Sequence, residues 1–105
     1  MIEITYHKRI HSLEVKGHAG GKRGNDIVCA AVSTLTATLA QSLEAMKDSG
    51  IISHLEYHLD PGDAEIRCIP KSRMANVVQI VFTTICIGLE RVADQYPKKV
   101  SYKEA

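Results

Sequence analysis

The chain has 105 residues, 45% of them hydrophobic, with one Phe and no Trp; that fits one small domain, residues 1–105, whose core is mostly aliphatic. Lys plus Arg number 13 and Asp plus Glu 12, a formal net charge of +1, so bulk charge offers no argument for direct nucleic-acid binding. The three cysteines are odd in number and form no C-x-x-C pair, which argues against a disulfide framework or a structural zinc site.

The first residues, Met1-Ile2-Glu3-Ile4-Thr5-Tyr6, alternate as a strand does and lack the basic-then-apolar order of a signal peptide. After a polar turn at His7-Lys8-Arg9, residues 10–16 read as a second strand with Leu13 and Val15 on one side, so the two form a hairpin. Residues 17–25 contain four glycines and cannot be regular structure. Asp26 is suited to cap a helix. Val28, Val32, Leu35, Leu39, Leu43 and Met46 then recur at spacings of three and four, one apolar helical stripe that ends at Gly50. Residues 54–59 and 64–69 are strand-like and flank Asp60-Pro61-Gly62-Asp63, a strong turn signal and hence a second hairpin.

A second helix is expected over 72–95, its main face formed by Val78, Val81, Ile85, Leu89 and Val92. Its most apolar run, 77–89, is shorter than the ~20 residues of a membrane span, so a core helix and no membrane association are expected. Ile80, Phe82 and Ile87 lie off the main face; a helix apolar on two sides calls for a second burial partner, and a homodimer is the simplest source. Pro97 ends the helix and Val100-Ser101-Tyr102 can add a last short strand. The order β-β-α-β-β-α, with that optional strand, predicts an α+β fold: a mostly antiparallel sheet covered by two helices. Cytoplasmic location follows as the default.

The chemistry concentrates in residues 17–33. With Asp26 as cap, Cys29 is the third residue of the helix, where the positive end of the helix dipole and unpaired amides favour a thiolate and could hold an oxyanion. It sits about 100° round from Val28, and Ser33, Thr36 and Ala40 continue its line, a small, polar shoulder beside the core stripe. A buried packing thiol is the equal alternative. His18, at the mouth of the loop leading into this helix, could take the thiol proton and return it to a leaving amine; a solvated loop histidine is the alternative. Ser33 lies one turn after Cys29 and either supports the site or packs the helix. No acid stands out as a third member: Asp26 is committed as cap, and nothing in the sequence brings Asp60, Asp63 or Glu65 to the site.

Other motifs fail. Gly17 and Gly21-Lys22 are one residue too close for a P-loop, and Ala19 replaces a required glycine of a dinucleotide fingerprint. Lys22, Arg23 and the helix start could still cradle an anion or RNA, the reading of a non-enzymatic binding module. His54 and His58 stand too far apart along a strand to share a metal ion. Cys68 and Cys86 read as packing groups.

Gly17-His18-Ala19, a Gly-rich loop, and then Asp26-Ile27-Val28-Cys29-Ala30-Ala31-Val32-Ser33 resemble the ribosomal-processing cysteine protease family, Prp, and element order extends the resemblance over nearly the whole chain. The resemblance implies a small bacterial cytoplasmic protease, generally dimeric and without cofactor. Such proteases trim an N-terminal extension from large-subunit ribosomal protein number twenty-seven. It implies Cys29 as nucleophile, His18 as base, and Ser33 at the family's serine position, with Gly17, Ala19 and Asp26 in the surrounding motifs.

Overall fold

A computed structural model describes residues 1–20 and 26–105. Five strands and two helices follow in the order β1 (Ile2–His7), β2 (Ser12–Lys16), α1 (Ile27–Asp48), β3 (Ile52–Asp60), β4 (Asp63–Pro70), α2 (Ala75–Gln95) and β5 (Val100–Glu104). They form the expected α+β fold, with strand order β3-β4-β2-β1-β5. Every pairing is antiparallel except β1 with β5, which run parallel in the register Ile2↔Val100 to Tyr6↔Glu104.

Period-two alternation divides the sheet into two faces. Ile2, Ile4 and Tyr6 of β1, Leu13 and Val15 of β2, and Ala64, Ile66 and Cys68 of β4 are buried together under the helices. The outer face is polar, with Arg67 between Glu56 and Glu65 and His7 facing Glu14. From α1, Val28, Val32, Leu39, Ala40 and Leu43 enter the core, and from α2, Val78, Phe82, Ile85, Cys86 and Leu89. Both helices are long and apolar enough by composition to cross a bilayer, yet these side chains pack on the chain's own sheet. The helices meet closely at Gly88, where an added Cβ would lie 3.1 Å from a Leu35 methyl.

Three expectations need correction. The second strand starts at Ser12, not Ile10: Lys8–Ile10 is a short 3-10 turn closed by His11 in the left-handed region (φ 50°), which leaves Ile10 exposed. Phe82 is not on a second face of α2 but fully buried, stacked on Tyr6 with ring centroids 5.5 Å apart. The buried stripe therefore runs through Val78, Phe82, Ile85 and Leu89, with Val81 and Val92 on its flank. Finally, the line continuing from Cys29 is no uniform shoulder: Ser33 is exposed, but Thr36 and Ala40 are buried. Thr36 is tolerated there because its hydroxyl donates to the Val32 carbonyl at 2.7 Å.

Candidate functional site

Asp26 starts α1 with an extended backbone (ψ 103°), and its Oδ1 accepts from the Val28 and Cys29 amides at 3.0 and 3.2 Å. Its own carbonyl accepts from Ala30 N–H at 3.1 Å, the first bond of the helix ladder. The second carboxylate oxygen, Oδ2, accepts from the Cys29 thiol at 3.3 Å. One aspartate thus both caps the helix and holds the sulfur. The expectation that the first amides stand open for an oxyanion is not met in this conformation, because the Asp26 carboxylate already occupies two of them.

Cys29 is half-buried, with its sulfur on the edge of the core. The other two cysteines differ in kind. Cys68 and Cys86 are buried in the sheet and in α2, and burial pushes both thiols up to about 11. They are packing groups, as expected.

A cleft of about 420 Å³ opens beside Cys29. Gly17, His18, Cys29 and Ser33 line it, so residues from the end of β2 and from α1 meet at one cavity. Ile2, Val15, Val32, Leu59 and Ala64 give it an apolar interior. Ala19 packs against the core nearby. Lys22 and Arg23, the anion-binding candidates, lie outside the described residues.

The sequence did not point to the tip of the β3–β4 hairpin, yet Asp60, Pro61, Gly62 and Asp63 also line the cleft. Asp60 and Asp63 pair across the turn, leaving Pro61 and Gly62 as a two-residue loop with Gly62 at φ +71°. This tip is fixed to the start of the Gly-rich segment: the Gly17 amide donates to the Gly62 carbonyl at 2.9 Å. Gly17 itself (φ +97°) has no room for a side chain, since a Cβ there would strike the Met1 carbonyl.

The acids around this tip have other partners. The Asp63 carboxylate binds Lys16 and lies 3.4 Å from His58 Nε2, and the hydrogen bond from Lys16, followed by that from His58, holds its carboxyl below the usual range. Glu65 lies 3.7 Å from Arg67 on the outer face. Ligand-capable atoms of His58, Asp60 and Asp63 come within 4.8 Å of one another, a juxtaposition that the strand spacing of His54 and His58 could not reveal. All three are exposed, and a cation there would have to displace the Lys16 ammonium from Asp63.

A family model described as cysteine protease Prp matches residues 1–101. Among solved structures, the chain is similar to an essential ribosomal processing protease Prp from Staphylococcus aureus bearing a covalently linked product peptide: TM-score 0.76, 21% identity, covering 99% of this chain and 97% of that one. The same protease in complex with a substrate peptide gives a TM-score of 0.70 at 19% identity over 99% and 97% of the two chains. SMU.848 from Streptococcus mutans gives a TM-score of 0.70 at 32% identity, covering 98% of this chain and 90% of that one. No curated protein matches the chain.

Proposed function

Since the chain belongs to the cysteine protease Prp family, we propose that it is the endopeptidase that removes the N-terminal extension of large-subunit ribosomal protein number twenty-seven, with Cys29 as nucleophile and His18 as general base. The whole chain, residues 1–105, acts as one protease domain in the cytoplasm. The observation that carries the assignment of residues is their convergence: the sulfur at the start of α1 and the imidazole after β2 line one apolar cleft. The non-enzymatic module considered from the Gly-rich loop does not fit a member of a protease family.

In the first step His18 takes the Cys29 thiol proton and the sulfur attacks the scissile carbonyl carbon, forming a C–S bond. The carbonyl electrons move to oxygen at the N-terminal end of α1, where the helix dipole favours negative charge. The oxyanion competes with Asp26 for the Val28 and Cys29 amides, so productive binding turns the carboxylate away. The C–N bond then breaks as His18 returns the proton to the departing nitrogen. Water, deprotonated by His18, attacks the thioester; the carboxylic product leaves and the thiol is regenerated. Ser33, exposed on the cleft wall one turn after Cys29, contacts the bound peptide. No step needs a cofactor.

The test is cleavage of a peptide spanning that extension by wild type, Cys29→Ala and His18→Ala. Loss of a general base is expected to lower kcat by roughly 10²–10⁴-fold, and loss of the nucleophile to abolish turnover. Cleavage by Cys29→Ala at the wild-type rate would sink the assignment. We propose in addition that the protease is a homodimer joined through the outer face of α2, where Val77, Ile80 and Ile87 are exposed in one stripe.

A further inference from the structure

We infer that Gly62, at the tip of the β3–β4 hairpin, is a positioning residue for His18: its missing side chain is the seat of the imidazole. An L side chain at 62 would place its Cβ 2.7 Å from His18 Cε1 and 3.1 Å from Cδ2, and closer still to Nε2. All three atoms belong to the far end of one ring, so the imidazole points its Nε2 end into the space a side chain at 62 would fill. No real Cβ tolerates such contacts, so any other L residue at 62 expels the imidazole from this place.

The hairpin is well anchored for the task. The Gly62 carbonyl accepts from the Gly17 amide at 2.9 Å, one residue before His18. Lys16, the residue before that, binds Asp63, one residue after Gly62. Backbone and side-chain contacts therefore fix the turn against the chain that carries the histidine, and the turn and the imidazole line the same cleft as Cys29. His18 is itself exposed, so the space left open above Gly62 is what lets the ring lie against this turn. This inference rests on reading His18 as the base of the protease. Gly62 touches neither proton nor substrate in it; it acts through the ring.

The test compares wild type with Gly62→Ala, His18→Ala, the double variant, and Gly50→Ala. Gly50 is the control for backbone strain: it has a similar positive φ (+82° against +71°), sits past the end of α1 remote from Cys29, and an added Cβ there would meet only the Lys71 ammonium at 3.7 Å. The readouts are Tm, the NMR signal of His18 Cε1–H, and kcat and KM for peptide cleavage.

Gly62→Ala is expected to lower Tm about as much as Gly50→Ala, because both strain a left-handed residue and the displaced ring is free to turn into solvent. Unlike Gly50→Ala, it is expected to shift the His18 signal. It should also cut kcat by about 100-fold, as a displacement of about 1 Å can, with KM little changed. In the His18→Ala background the same substitution should leave the residual kcat unaltered.

An unshifted His18 signal in folded Gly62→Ala overturns the inference, as does a kcat within about twofold of wild type or an equal loss in both backgrounds. If Gly62→Ala does not fold, the double variant decides: removal of the imidazole opens the space, so recovered folding supports the collision and continued unfolding overturns it. Failure of the base assignment is seen separately, as wild-type cleavage by His18→Ala, and removes the positioning role even where the NMR shift is found.

Discussion

Asp26 makes opposing demands on Cys29. As cap it completes the helix whose dipole favours negative charge, but its second oxygen accepts a hydrogen bond from the thiol and presents negative charge to the sulfur. Substitution separates the two effects. Asp26→Asn keeps an acceptor for the amides and removes the charge. It is expected to change stability by only a few tenths of a kcal/mol, while Cys29 alkylation by iodoacetamide at neutral pH speeds up. Asp26→Ala removes both and should cost ~1 kcal/mol of stability. Alkylation rates and denaturant unfolding of the two variants check this; an unchanged rate in Asp26→Asn would show that the carboxylate does not restrain the sulfur. That Asp26 caps and Cys29 follows at the helix start was legible in the sequence because both lie within one turn. The contact between the thiol and the carboxylate was not, since it depends on which way a side chain turns. Gly62 was further from reach: a turn glycine is ordinary, and only the folded sheet brings it beneath a histidine 44 residues away.

At the scale of elements, α2 shows how much a helix period can say. Its existence and its inward Val78, Ile85 and Leu89 were readable from spacing, but the stripe was drawn about one residue too narrow and excluded Phe82. Aromatic size decides the difference: Phe82 reaches Tyr6 on β1 and fills the core between sheet and helix. What remains outside is Val77, Ile80, Thr84 and Ile87, at spacings of three, four and three, with Ile80 67% and Ile87 56% exposed. These positions lie on one side of the helix, and the proposed homodimer would bury them against a second copy. Ile80→Glu should therefore leave the monomer folded and convert a dimer to a monomer in sedimentation at micromolar concentration. A wild-type monomer mass under those conditions would contradict the assembly. The β1–β2 connection illustrates the opposite limit. Ile10 looked like the first apolar residue of a strand, but His11 takes the left-handed conformation and the chain turns before β2 begins.

For the whole molecule, buried titratable groups limit stability at both ends of the pH range. His11, packed 6.1 Å from Phe82, has its pKa lowered from 6.5 by burial, and its Nδ1 is buried without a hydrogen-bond partner among the described residues. The unfolded chain binds the proton more readily than the folded one, so the stability this group provides is full above pH 6.5 and is lost as pH falls through the folded value. At the alkaline end Cys68 and Cys86 are raised by burial from 9.0 to about 11 and Tyr6 from 10.0 to about 12. Their contributions are full below the lower of each pair of values and vanish as pH climbs through the upper. Urea unfolding as a function of pH should give a plateau from about 6.5 to 9 with falls on both sides. His11→Asn, which tolerates the left-handed backbone, should flatten the acid fall; an acid limb unchanged in that variant would assign it to other groups.

The pairing of β5 with β1 sets the order in which the sheet can be finished. β1 needs a strand made well after it: Ile2 N–H donates to the Lys99 carbonyl and Ala105 N–H to the Tyr6 carbonyl, so both ends of β1 are tied by residues 99–105. While the polypeptide is being synthesised, β1 can join β2 early, but its other edge stays bare until β5 emerges. The cleft wall includes Ile2, so that part of the wall is paired on both sides only after β5 has joined β1. Closure of the sheet therefore waits until residues 100–104 have been made.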